Sequence, residues 1–216
     1  MTRNPLTLGL KSKIRSILPG FVTTVYRRVT YFRQVAKLLR RVQQSASLRI
    51  IIGASGTSQP HWISTEESYL NLLNVDNWDR FFKKRKIDSL LAEHVWEHLS
   101  IDEGLIAART CYTYLNQGGR LRIAVPDGFC PDNRYRNLVT PPSLGHKVLF
   151  NYRTLAHLFE EAGFKVRLLE YYDEKGRFHY NHWTADEGLI LRSLRFDPQN
   201  RANFTVISSV IIDAVK

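Results

Sequence analysis

Apolar positions along the chain repeat with two periods, three-to-four and two, and the switches between them outline the elements. Scattered charge up to Ile17, followed by Leu18-Pro19-Gly20, predicts a short helix and a break. From Phe21 to Val42 the apolar residues Val22, Val25, Tyr26, Val29, Phe32, Val35, Ala36, Leu39 and Val42 recur at three and four, with arginines and lysines between them. That spacing predicts an amphipathic helix with a basic face. After a small, polar stretch, Gln43 to Ser47, the run Leu48 to Gly53 reads as a buried strand and Gly53-Ala54-Ser55-Gly56 as the turn after it. Only five residues, Pro60 among them, separate Gly56 from Trp62, so no helix fits before the next strand at about Trp62 to Ser64. Leu70 to Val75 reads as either a third strand or an irregular connection, and Asn77 to Phe82 as a turn or two of helix.

The pattern is sharpest from Ile87 onward. A short apolar run, Ile87 to Leu91, predicts a parallel strand that turns polar at Glu93-His94-Val95-Trp96-Glu97-His98. Ser100 and Glu103 form a capping-box pair, and Leu105, Ile106, Ala108, Cys111, Tyr112 and Leu115 follow at helical spacing until Asn116-Gln117-Gly118-Gly119. Leu121 to Val125 is the next strand, closed by Pro126-Asp127-Gly128. A loop-like stretch containing Cys130, Pro141-Pro142 and Gly145-His146 leads to a helix over Asn151 to Ala162, with Leu155, Leu158 and Phe159 inward and Gly163 as its cap. A strand over Lys165 to Tyr171, a hairpin turn at Asp173 to Arg177, an aromatic and histidine cluster in a loop at Phe178 to Trp183, and a last strand over Phe204 to Ala214 complete the chain. Strands alternating with helices predict an α/β domain around a mostly parallel sheet.

Length and composition fit that outline: 216 residues, 44% hydrophobic and 24% charged, suit one globular domain with an appendage. The formal net charge of +11 changes the picture only when it is located. Residues 1–65 hold 11 Lys or Arg and no acid, whereas the rest of the chain balances 20 basic against 20 acidic residues. The basicity belongs to an arm, residues 1–47, and the domain over 48–216 is neutral, so no nucleic-acid partner is expected. Nothing in the arm approaches the roughly 20 apolar residues of a membrane span, and no continuous apolar core marks a secretory signal. For the helix over 21–42 three readings stand: a helix packed on the domain, a peripheral contact with a membrane or protein, and a targeting peptide. The two cysteines, Cys111 and Cys130, form no framework and no metal-ligand spacing, which favours a reducing, cytoplasmic setting.

The stretch from Asp88 to Asp127, with Glu-His-Val-x-Glu-His-Leu before a helix and Gly-Gly-x-Leu-x-Ile-x-Val-Pro-Asp after it, resembles the second half of the cofactor domain of class I S-adenosylmethionine-dependent methyltransferases. More narrowly it is similar to a bacterial-type group of predicted methyltransferases with a shortened first half, and the resemblance covers about Leu48 to Asp213. It implies a Rossmann-like three-layer fold with a shortened N-terminal half, preceded by basic helices, and S-adenosylmethionine as cofactor. It further implies that the turn at Gly53 and Gly56 approaches the cofactor, that an acid after the second strand, Glu66, meets the ribose hydroxyls, and that Asp76, Glu93 and His94 lie near the adenine or methionine end. The arm's helix is then expected to cover the site. The implied activity is methyl transfer to a small-molecule or saccharide-like acceptor; the alternative is a methyltransferase-like protein that binds without catalysis, which the missing helix after Gly56 supports.

A hydroxyl acceptor needs its proton removed, and His146, His179, His182 and Asp127 are the candidate bases, His146, Asp127 and His182 foremost. His94-Val95-Trp96-Glu97-His98 also matches H-x-x-E-H, a zinc-binding pattern. Its two histidines chelate together only on one helix, whereas here a strand precedes them. With no third ligand signalled, no metal is expected.

Overall fold

The computed structural model describes residues 20–197, 200 and 207–216, residues 20–23 by their backbone alone. The expected short helix before Pro19, and residues 204–206 of the expected last strand, lie outside those residues. Seven strands make one sheet: β1 (Arg49–Ile52), β2 (Ile63–Ser64), β3 (Ile87–Glu93), β4 (Leu115–Pro126), β5 (Lys165–Tyr172), β6 (Phe178–Tyr180) and β7 (Ser209–Val215). The helices are α1 (Gly20–Gln44), α2 (Val75–Phe82), α3 (Ile101–Tyr114), α4 (Asn133–Val139) and α5 (Tyr152–Glu161). Strand order is β2-β1-β3-β4-β7-β5-β6, with β2, β1, β3 and β4 parallel and β7 inserted antiparallel to both β4 and β5. This is a Rossmann-like α/β fold.

Local chemistry accounts for the elements. Ser100 accepts from the Glu103 amide and Glu103 from the Ser100 amide, so the predicted capping box starts α3. Asn151 caps α5 through the amides of Arg153 and Thr154. Between β1 and β2 the chain makes a non-helical crossover, as the spacing around Pro60 requires, and Leu70 to Asn74 is an irregular connection rather than a strand. Two expectations change. Phe178 to Tyr180 is strand, because Asp173 gathers the amides of Lys175 and Arg177 and closes a hairpin that pairs Tyr171 with His179. β4 begins at Leu115, directly at the end of α3, with Gly118 at φ +74° inside it and Leu115 already paired to Ile87.

One sheet face, carrying Ile50, Ile52, Leu90, Ala92, Leu121, Ile123 and Ile212, is covered by α1, α2, α3 and α5 through one continuous apolar core. The opposite face carries Ile51, Leu91, Ala124, Leu169 and Ile211, and it packs on Trp62, Trp183 and Ile190. Its covering layer is the extended segment 181–193, which has only one 3-10 turn, Ala185–Glu187. Arg122 fastens that layer. Fully buried, it uses all five N–H donors: two on Asp213 (2.7 and 2.9 Å), two on the carbonyls of Thr184 and Gly188 (3.0 and 2.8 Å), and one on Glu187 (3.3 Å). Its guanidinium also lies 4.9 Å from the Trp183 ring centroid.

Helix α1 divides in two. Leu38 and Val42 are buried in the core and Tyr31, Val35 and Leu39 pack against it. Arg85 donates to the carbonyls of Val42, Ser45 and Ala46, so the C-terminal end is anchored by a cation where the helix dipole favours one. The N-terminal half leaves Val25, Tyr26, Val29 and Phe32 exposed, Phe32 at 66%. No helix among the described residues is long and apolar enough to cross a membrane.

Candidate functional site

From β1 the chain steps outward to β2, then returns past β1 to β3 on its other side, so β1 and β3 flank the point where the strand order reverses. At such a switch point the loops leaving the two strands diverge and open a crevice at their carboxyl ends, the usual ligand site of an open α/β sheet. A cleft of about 450 Å³ lies there. Ile52 and Gly53 at the end of β1 and His94 and Val95 beyond β3 form one side. Glu66, Glu67 and Leu70 to Leu73 form a second, and His98, Leu99, Glu103 and Lys147 a third.

The turn after β1 is built for close approach. Gly53 takes φ +58°, and a Cβ there would stand 3.0 Å from a Val95 methyl; Gly56 takes φ +83°. Glu66 accepts from the amides of Ser55 (3.3 Å) and Gly56 (3.2 Å), so its carboxylate fixes the turn and also faces the cleft. A carboxylate has about four acceptor sites, which leaves two for a ligand. Gly53, Gly56 and Glu66 are therefore brought together, and His94 joins them across the cleft.

Asp76 and Glu93 are not brought there. Asn74 caps α2, which places Asp76 in the helix's first turn and in solvent, where the helix dipole favours an acid. Glu93 has the strand parity of Leu91, so its carboxylate turns to the opposite face and accepts from the amides of Leu191 (3.1 Å) and Arg192 (2.7 Å). It tethers the covering segment. None of the described residues of α1 lines the cleft.

Among the expected bases, Asp127 is fully buried and holds the end of β4 to β5, accepting from the amides of Phe129 (2.9 Å) and Tyr172 (2.7 Å). Burial nevertheless pushes its carboxyl up from 3.8 to about 6, against the pull of those two amides. The folded state thus keeps a proton that the unfolded chain has already released. The Asp127 contribution to stability is largest below pH 3.8 and falls by about 3 kcal/mol as pH rises through about 6. Urea titrations of the wild type and Asp127→Asn between pH 4 and 7 should therefore converge or cross with rising pH; parallel curves would refute the shift.

His179 Nε2 donates to the Asp173 carboxylate (2.9 Å) and the ring stacks on Tyr171, which makes it part of the hairpin. His182 is exposed beyond β6, outside the cleft. His146 is buried behind the cleft wall, its ring centroid 5.0 Å from that of His98.

The H-x-x-E-H stretch does not lie on one helix. His94 is held at φ +55° where the chain leaves β3, and Glu97 and His98 sit in the 3-10 turn Trp96–His98. A signal for the proximity of His98 and His146 existed only in the tertiary pairing. The Glu97 carbonyl accepts from the amides of Lys147 (2.7 Å) and Val148 (3.2 Å), which draws the Gly145-His146 loop onto the turn.

No protein-family model matches the chain, and neither does any curated protein. Among solved structures, the chain is similar to a SAM-dependent methyltransferase from Archaeoglobus fulgidus, at 16% identity over 84% of this chain and 92% of that one, with a TM-score of 0.43. It is similar to a SAM-dependent methyltransferase from Thermotoga maritima, at 14% identity over 91% and 96% of the two chains, with a TM-score of 0.44. A chain from the Haloferax volcanii complex of a methyltransferase activator with a methyltransferase matches at 8% identity over 84% and 88%, with a TM-score of 0.46. These are likenesses of chain path; what the sheet edge does is read from this chain's own residues.

Proposed function

We propose that the chain is an S-adenosylmethionine-dependent methyltransferase acting on a small-molecule or saccharide-like acceptor. The observation that carries this reading is the cleft at the switch point between β1 and β3, with the left-handed glycine turn on one side and the Glu66 carboxylate facing into it. Its size suits a ligand of nucleoside scale. The donor set fits S-adenosylmethionine in kind. Glu66 has acceptor capacity for two vicinal hydroxyls, while Ile52, Leu70 and Leu72 offer apolar surface to an aromatic base. When bound, the cofactor supplies an electrophilic methyl group on a sulfonium.

The residues of this chain then have two tasks, to align the acceptor and to take its proton. His94 and His98 are the imidazoles that line the cleft, so the proton-accepting role moves to them from His182 and Asp127. Binding without catalysis is the second reading. It draws on the Ser55 and Gly56 amides, which are already taken by Glu66 rather than free for a ligand. Calorimetric titration of the full chain with S-adenosylhomocysteine tests the first step, with one-to-one binding expected. No heat at millimolar ligand would sink both readings. Methyl transfer from labelled S-adenosylmethionine to a panel of hydroxylated acceptors separates them.

A further inference from the structure

Glu97 is 1% exposed, and neither of its carboxylate oxygens receives a well-directed hydrogen bond, a situation found at no other carboxylate among the described residues. A buried carboxylate without a donor is strongly unfavourable unless a cation stands by it. Nδ1 of His94 lies 3.1 Å from Oε1 without hydrogen-bond geometry, while its Nε2 is 3.1 Å from the Ser209 hydroxyl. Two further imidazoles surround the same group. Donor atoms of Glu97, His98 and His146 all lie within 4.8 Å of one another.

We propose that Glu97, His98 and His146 bind a divalent first-row transition-metal ion, with an open coordination position toward the cleft. The ligand set, two imidazoles and one carboxylate, is one that such ions take with a further position left for water or substrate. The imidazoles are prepared for it. His146 Nδ1 lies 2.7 Å from the Val139 carbonyl and His98 Nδ1 lies 3.2 Å from the Gly145 carbonyl. A carbonyl can only accept, so both Nδ1 atoms carry the proton and both Nε2 atoms carry the lone pair. This is the outer-shell arrangement that fixes metal-ligating histidines.

The backbone bonds from Lys147 and Val148 to the Glu97 carbonyl hold the two ligand-bearing segments in register. Donors around a tetrahedral ion stand about 3.4 Å apart. Donor atoms that now lie within 4.8 Å of one another therefore draw together on binding. Because His98 also lines the cleft, the open position faces the space where an acceptor oxygen would sit. Glu97 and His146 lie outside the cleft lining, and Zn²⁺ binding is read without S-adenosylhomocysteine, so failure of the metal site and failure of the methyltransferase reading are distinguishable.

The test is calorimetric titration of the full, chelator-treated chain with Zn²⁺, with Co²⁺ absorption as the second readout and Mg²⁺ as the comparison ion. One Zn²⁺ per chain is expected, visible bands of low-coordinate Co²⁺, and no competition from Mg²⁺, which prefers an all-oxygen shell. His146→Ala and the exposed substitution His98→Gln should each weaken Zn²⁺ binding by at least about 100-fold, more than loss of an outer-shell partner does. His182→Ala should leave it unchanged. Wild-type binding that is absent, or that survives His98→Gln undiminished, overturns the proposal. Should His146→Ala fail to fold, the surface substitution still decides.

Discussion

Asp213→Ala is expected to cost about 3–5 kcal/mol of folding stability, read as a lower urea midpoint at unchanged slope. Asp213 is 1% exposed at the centre of β7 and is the common partner of Arg122 (2.7 and 2.9 Å), Arg167 (3.1 Å) and Arg120 (3.8 Å). Without it the guanidinium of Arg122 stays fully buried, with only the partly exposed Glu187 carboxylate, 3.3 Å away, left to balance its charge. The same guanidinium holds Thr184 and Gly188 and lies against Trp183, so the effect spreads into the layer that covers the second sheet face. Trp183 also donates to the buried carboxylate of Glu170 (2.9 Å), which ties the segment to β5. Hydrogen exchange over 181–193 should accelerate more than exchange over α3. A loss below about 1 kcal/mol would mean that the network is replaced by solvent at no cost, and would refute this account.

Arg122 and Asp213 show why the sequence exposes one half of the fold better than the other. The helical face is written in local periodicity: Ser100 and Glu103 cap α3, Asn151 precedes α5, and Leu155, Leu158 and Phe159 recur at helical spacing. The second layer has no periodicity. It is held by an arginine on β4, an acid on β7 and carbonyls of an irregular segment, and these meet only when the antiparallel strand is inserted. The same distinction divides the site. The crevice and its glycine turn follow from strand order and from Gly53 and Gly56. The inward or outward sense of Glu93 depends on register, because a carboxylate one residue from His94 lies on the other face of the sheet. Likewise, Asp76 misses the cleft because a helix starts at Val75, and His146 comes near Glu97 and His98 through two backbone bonds that no spacing announces.

Glu66→Ala is expected to weaken S-adenosylhomocysteine binding by about 100-fold while shifting the thermal midpoint by only a few degrees. The carboxylate is half-buried at the cleft and has two acceptor sites beyond those used by Ser55 and Gly56. Hydrogen bonds from two hydroxyls to a charged acceptor contribute roughly 1.5–3 kcal/mol each when solvent is excluded, and the lower end of that range for the pair corresponds to about two orders of magnitude. Removing the side chain also releases the two amides that hold the turn in its left-handed conformation, which adds an ordering cost to binding. Glu66→Gln separates the two effects. Its amide oxygen can keep one amide of the turn, but its NH₂ group meets the other donor to donor and offers hydroxyls a weaker acceptor. Its affinity should therefore fall between those of the wild type and Glu66→Ala. Glu67→Ala, at the neighbouring exposed carboxylate that pairs with Asn71, should change affinity by less than about 5-fold. If Glu66→Ala binds as tightly as the wild type while Glu67→Ala does not, the hydroxyl-binding carboxylate is Glu67, and Glu66 serves the turn alone.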